Sequence, residues 1–405
     1  MGPANGRCAL AGLSCLAMLA LLAAGSAVAQ QPSVLRLQPS GGTASTGPVA
    51  GGPSGEKPAD NAPEIQISDV ALRAGLLSDD VQQIERYVRY WADKLVEAND
   101  AQDVLAARSR LMRGYGNYNN FQYQTVYAGQ AATILVPLLK SADLLKQVNL
   151  GVVLSHMEQV TVQPALEVMI VSPNPALRLY GWHGYQRIET SVLAQGRDFV
   201  ATMLKSLTKA AQEETCGPVM SAVFRMFYLG HERPTFILPG IYEQTRGELF
   251  EILHQSWPRI CKQVLAGDIG MIQASGEALK TLRRIVAVAG SQKETPQTVV
   301  QMLLDMMWCA AKAYANADVG SPVQAASEAL LRDCEGAMNT VTQLHKVPIS
   351  SALGVAANER SLAVEIAVHT WVRELESAGW QVKEPALTGG SEGTRPASAP
   401  AGSSD

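Results

Sequence analysis

From Ser78 the chain reads SDDVQQIERYVRYWADKLVEAND, and Val81, Ile84, Val88, Trp91 and Leu95 recur in it at steps of three and four residues. That period gathers them on one face of an α-helix. Ser78 is read as the N-cap, and Asp79 and Asp80 fall where the positive end of the helix dipole favours carboxylates. Arg86, Arg89, Asp93 and Lys94 then form a solvated face rather than a binding patch. Later helices announce themselves by a capping residue followed by proline, at Asn174-Pro175, Thr295-Pro296 and Ser321-Pro322, because proline is preorganised for the first helical position and has no N–H to waste there. Ser321 with Gln324 has the spacing of a capping box. Long apolar stretches follow two of these starts, TVVQMLLDMMWCAAKAYA from Thr298 and ALLRDCEGAMNTVTQL from Ala329, and a last helix is expected from Glu359 to Ser377, stopping before Gly379.

Strand signals are scarce. There is no Asn-Gly or Asp-Gly hairpin turn, and β-branched runs such as Gln159-Val160-Thr161-Val162 are short. The expected fold class is therefore all-α, in one helical domain over residues 64–383. Many medium helices joined by short turns allow two arrangements, a stack of helical hairpins or a closed bundle. The segment SPNPALRLYGWHGYQRI, Ser172 to Ile188, carries a polar-proline turn (Asn174-Pro175), an apolar residue (Leu177), an arginine (Arg178) and a small or apolar stripe (Gly181, Ile188). In this it resembles the first helix of a HEAT-type repeat, most clearly over residues 144–250. The resemblance implies an irregular hairpin stack, an α-solenoid whose role is binding or scaffolding. Tyr180, Trp182 and Tyr185 are bulkier than the family's Ala-rich pattern, and the repeat of about 40 residues is not sustained along the rest of the chain.

The two ends read differently. A single positive charge at Arg7 precedes an apolar and small-residue run from Cys8 to Leu22, followed by Ala23-Ala24-Gly25-Ser26-Ala27-Val28-Ala29. Charge, hydrophobic segment and A-x-A site in that order are the grammar of a secretory signal peptide, residues 1–29, with cleavage near Ala29. The competing reading is a retained transmembrane anchor. Cys15 lies in the middle of the run, which disfavours lipidation, and no Arg-Arg pair marks a twin-arginine signal. Residues 30–63 and 384–405 are rich in Gly, Ser, Pro, Thr and Ala and too poor in large apolar residues to offset chain entropy, so both are expected to be disordered. The chain is thus expected in the periplasm or outside the cell, with no stable membrane insertion once the signal is removed.

A net charge of −4 over 405 residues gives no basic face for nucleic acid. Cys8 and Cys15 belong to the signal. Cys216, Cys261, Cys309 and Cys334 match no C-x-x-C metal or redox spacing. They are read either as small buried hydrophobes or, in an exported chain, as up to two disulfides, with Cys309–Cys334 the first pairing to consider because both fall on sequence-adjacent helices.

Chemistry-bearing motifs are thin. His156, His183, His231, His254, His345 and His369 show neither His-x-x-x-His nor HExxH spacing, so no zinc pair shares a helix turn. No G-x-S-x-G elbow occurs, and Gly114-Tyr-Gly116-Asn-Tyr-Asn lacks the third glycine of a dinucleotide loop. No catalytic residue, metal or cofactor is expected. The histidine of most interest is His183, between Trp182 and Tyr185; His231-Glu232 reads as turn chemistry. RGYGNYNNFQYQTVYAGQ, Arg113 to Gln130, gathers Tyr115, Tyr118, Phe121, Tyr123 and Tyr127 among amides. Such a set lines a carbohydrate or peptide groove, or packs a long loop onto neighbouring helices. The expected function is a non-enzymatic binding or scaffold protein of the periplasm or cell envelope, with a protein or envelope component as partner. The alternative is an exported helical enzyme with a site near His183 and Tyr115, Tyr118 and Tyr123.

Overall fold

The computed structural model describes residues 67–116, 118, 120–229, 234–289 and 294–383. The expected signal peptide, the two expected disordered segments and the His231-Glu232 turn lie outside these residues. The described chain is all-α, with no strand among the described residues. It divides after Leu154 into two compact units. No helix among the described residues is long and apolar enough to cross a membrane.

The first unit holds α1 (Ile67–Ala71), α2 (Ser78–Glu97), α3 (Ala101–Gly116), α4 (Phe121–Ser141) and α5 (Leu144–Ser155). Helix α2 packs against both α3 and α4. Its buried stripe is Ile84, Val88, Ala92 and Leu95, while Arg86, Arg89, Asp93 and Lys94 are exposed as the amphipathic pattern requires. Val81 and Trp91 sit at the edge, half-buried, and Trp91 is covered by the Arg110 guanidinium at 5.3 Å from the ring centre. The expected cap is displaced by one residue: Ser78 is the first helical residue, and Leu77 is the capping position. Buried Asp80 does the capping, accepting from the Leu77 N–H at 2.9 Å and pairing with Arg73.

The second unit holds a 3-10 turn over Val160–Val162 and then α6 (Gln163–Ile170), α7 (Pro175–Gln195), α8 (Arg197–Glu213), α9 (Gly217–Arg225), α10 (Pro239–Leu265), α11 (Ile269–Ala289), α12 (Glu294–Asn316), α13 (Pro322–Thr342), α14 (Pro348–Leu353) and α15 (Arg360–Ser377). The helices pack in two interleaved rows. One runs α7, α9, α11, α13, each against the next, and the other runs α8, α10, α12, α15. Sequence neighbours such as α7 with α8 and α12 with α13 join the rows. This order of packed helix pairs is compatible with a helical repeat stack.

Two of the three expected proline starts, Asn174-Pro175 and Ser321-Pro322, stand as read, whereas α12 begins at Glu294, which places Thr295 inside the helix rather than at its cap. Asn174 accepts from the Ala176 N–H at 3.0 Å and Ser321 from the Gln324 N–H at 3.2 Å. The Gln324 amide oxygen takes the Gly320 N–H at 2.7 Å rather than that of Ser321, so the box closes one residue early. Four further helices, α6, α9, α10 and α14, also carry proline in their first turn. Glu335 of α13 is buried, and its carboxylate accepts from the Ile349 and Ser350 N–H groups at 2.7 and 2.9 Å and from the Trp371 indole at 3.4 Å. One carboxylate therefore fixes the start of α14 and the face of α15, which charge-assisted hydrogen bonds to backbone do well when all lone pairs are used.

Candidate functional site

The Arg178 signature residue leads to a cavity on the second unit. Pro175 and Asn174 start α7 so that Arg178 points back across the turn, where its guanidinium donates to the Ser172 and Pro173 carbonyls at 3.0 Å each. The same group forms a two-pronged pair with Glu214, at 2.7 and 2.9 Å. Glu214 in turn accepts from the Thr215 and Cys216 N–H groups at 3.0 and 2.8 Å, capping the start of α9, and Arg259 of α10 donates to the Glu214 carbonyl at 2.6 Å. Three helices are thus held at one corner by a charge pair that is more than nine-tenths buried on the carboxylate side.

Beside this corner lies a cavity of about 240 Å³, lined by Ile170, Val171, Trp182, Ser206, Lys209 and Glu213 together with Arg178 and Glu214. Among the lining residues Lys209 and Glu213 lie 3.9 Å apart. The buried Trp182 indole N–H has no hydrogen-bond acceptor in the protein, and an unmet buried donor costs about 1–3 kcal/mol. Ser206 donates to the Glu167 carboxylate at 2.6 Å, and the Tyr185 hydroxyl donates to the same carboxylate. Burial, and then the Glu167 charge, push the Tyr185 phenol up well beyond its ordinary range. The network joins a hydroxyl to a carboxylate with no imidazole in it, which is not the arrangement that activates a serine. The cavity lining thus combines the apolar side chains of Ile170, Val171 and Trp182 with the charged ones of Arg178, Lys209, Glu213 and Glu214.

The residues singled out from the sequence fall in different units. Tyr115, Tyr118 and Tyr123 lie in the first and His183 in the second. Tyr115 and Tyr123 are buried and Tyr118 half-buried. Their segment is no long loop, since α3 ends at Gly116 and α4 begins at Phe121. Asn120 starts α4 by accepting from the Tyr123 N–H at 3.1 Å, and its amide donates to the Ala71 and Arg73 carbonyls. The Tyr123, Tyr127 and Tyr87 hydroxyls donate to the Gly114, Leu111 and Arg110 carbonyls at 2.6, 2.8 and 2.8 Å. Burial raises all three phenols, Tyr87 to about 12. His183 is half-buried, edge-on to Tyr180 at 6.2 Å between ring centres, and burial followed by the Arg225 and Arg187 charges lowers its pKa. Such an imidazole is neutral at physiological pH.

No family model matches the sequence, and no curated protein is similar to it.

Cys216 is half-buried and Cys261, Cys309 and Cys334 are buried, and burial raises the Cys334 thiol well above its ordinary range. Among the described residues, no three His, Cys, Asp or Glu side chains are placed to hold a metal ion. Glu214 is what the sequence reading missed. It lies 36 residues from Arg178, and no local pattern couples two residues that meet only when three helices pack.

Proposed function

We propose that this chain is an exported, non-enzymatic binding or scaffold protein of the periplasm or cell envelope, built on a HEAT-like α-solenoid. The observation that supports the reading is the packing order of the second unit, in which α7, α9, α11 and α13 form one row and α8, α10, α12 and α15 another. Stacked helices of that kind extend a surface by adding neighbours, and such surfaces serve recognition. The Ser172–Ile188 signature sits at the start of the first row: Leu177 and Ile188 are buried, Arg178 pairs with Glu214, and a Cβ on Gly181 would stand 2.6 Å from Ile170 of α6. The signal-like N-terminus supports the address.

Two measurements test the proposal. Fractionation with mass analysis of the mature N-terminus should find the chain outside the cytoplasm and beginning at Gln30; an intact Met1 in the cytoplasm would contradict the address. The immobilised full chain, incubated with an envelope extract, should retain one or a few proteins above a control of matched charge. A return at background level would count against the binding role.

A further inference from the structure

Three tryptophans of the second unit are buried, Trp182, Trp257 and Trp371. Two of their indoles have acceptors: Trp257 donates to the Met302 carbonyl at 2.9 Å and Trp371 to the Glu335 carboxylate at 3.4 Å. Trp182 is 1% exposed and its N–H has none, although a buried indole normally finds one. Trp182 stands in the lining of the cavity beside Arg178. Ser206 of α8 lines the same cavity. Its only proton goes to the Glu167 carboxylate at 2.6 Å, so towards a further partner the Ser206 oxygen acts as an acceptor alone. The cavity therefore offers a donor on α7 and an acceptor on α8.

Each cation of the lining already faces a carboxylate, Arg178 that of Glu214 at 2.7 and 2.9 Å and Lys209 that of Glu213 at 3.9 Å. An ionised ligand would give up its hydration with no unmatched charge to receive it, which is costly in a part-buried site. Buried Ile170 and exposed Val171 supply apolar surface. At about 240 Å³ the cavity falls below the roughly 300–1,000 Å³ that takes drug-sized molecules, so its ligand is small. From these observations we propose that the cavity binds a small uncharged aliphatic amide. The ligand carbonyl accepts from the Trp182 N–H, its N–H donates to the Ser206 oxygen, and its aliphatic group lies against Ile170 and Val171. An amide is the neutral group that carries acceptor and donor on separate atoms, as two protein groups on two helices require. This inference gives a ligand class to the binding role proposed above and rests on that role. It is tested with purified protein and synthetic amides, so its failure is distinct from the failure of capture from an extract.

The test is calorimetric titration of the full chain with N-acetyl-leucine N-methylamide at pH 7. Free leucine, a zwitterion, and 4-methylpentanoate, an anion, share the aliphatic group and should bind at least about ten-fold more weakly. Trp182→Phe keeps an aromatic ring and removes the N–H, and should weaken binding of the amide about ten-fold, the loss expected for one hydrogen bond in a buried site. Ser206→Ala should weaken it about three- to ten-fold on the same ground. Because Trp182 is a core residue, a second variant is placed on an exposed one: Val171→Trp fills the cavity from outside and should abolish binding at unchanged helical circular dichroism. A blocked Gly-Gly-Leu-Gly-Gly peptide distinguishes the two sources of the amide, binding about ten-fold more weakly than the probe where the site takes free small amides and equally where it reads a peptide unit within a longer chain. No binding of the probe to the unaltered chain, equal binding of leucine or 4-methylpentanoate, or undiminished binding by Trp182→Phe or Val171→Trp would overturn the proposal.

Discussion

Gly114 sits beneath two tyrosine rings, and a Cβ built there would stand 2.7 Å from both the Tyr127 hydroxyl and Tyr87 Cε1. In an exposed helix, Gly→Ala gains about 1 kcal/mol. Here the clash reverses the sign, because both hydroxyls are committed to α3 carbonyls and the rings cannot swing away without breaking those bonds. Gly114→Ala should lower stability by about 1–3 kcal/mol, seen as a fall in Tm. A rise would show the tyrosine cluster to be loose. Glu189 of α7 offers a second residue-scale test. The residue is half-buried, and burial alone pushes its carboxyl pKa up to about 8. A folded-state pKa above the unfolded value of about 4.3 means the folded chain holds the proton longer. Stability from this group is complete below pH 4–5 and is lost as pH rises towards 8. Glu189→Gln should therefore flatten the decline of Tm between pH 5 and pH 8; an equal decline in the variant and the parent would contradict the assignment.

At the scale of elements, α9 and α11 meet where glycine faces glycine. A Cβ on Gly217 would lie 2.3 Å from the Gly270 carbonyl oxygen, whereas a Cβ on Gly270 meets nothing nearer than 3.3 Å. The contact is backbone to backbone on one side only, so Gly217→Ala should cost well over 2 kcal/mol and Gly270→Ala less than about 1 kcal/mol. Denaturant midpoints of the two variants check this, and equal effects would mean the helices are further apart. What the sequence reading captured is local. The α2 stripe, the Asn174-Pro175 and Ser321-Pro322 starts and the end of α15 at Ser377 all depend on residues within one turn of each other. The start of α2 moved by one residue because Asp80, chosen as a dipole partner, is the side chain that reaches back to the Leu77 N–H. Tyr115, Tyr123 and Tyr127 were legible as a cluster, but not as a helix-to-helix seam, since the carbonyl partners of Tyr123 and Tyr127 lie in α3 and sequence gives no facing direction without the packing.

For the whole molecule, all-α character was readable because the 3.6-residue period recurs and turn signals for strands are missing. The cavity beside Arg178 was half readable: Arg178 and Trp182 belong to the Ser172–Ile188 signature, while Glu214, Ser206 and Lys209 enter only through tertiary packing of α8 and α9. If the second unit is a stack, its stability is a sum of helix terms and nearest-neighbour terms, and damage at one end stays there. Native-state hydrogen exchange on the full chain with Glu335→Ala measures this directly, since that carboxylate holds α14 and α15 at the far end of the rows. The stack predicts lost protection in α13 to α15 with amides of α7 to α9 unchanged. An equal loss of protection across every helix of the second unit would mark a closed, fully cooperative bundle and contradict it.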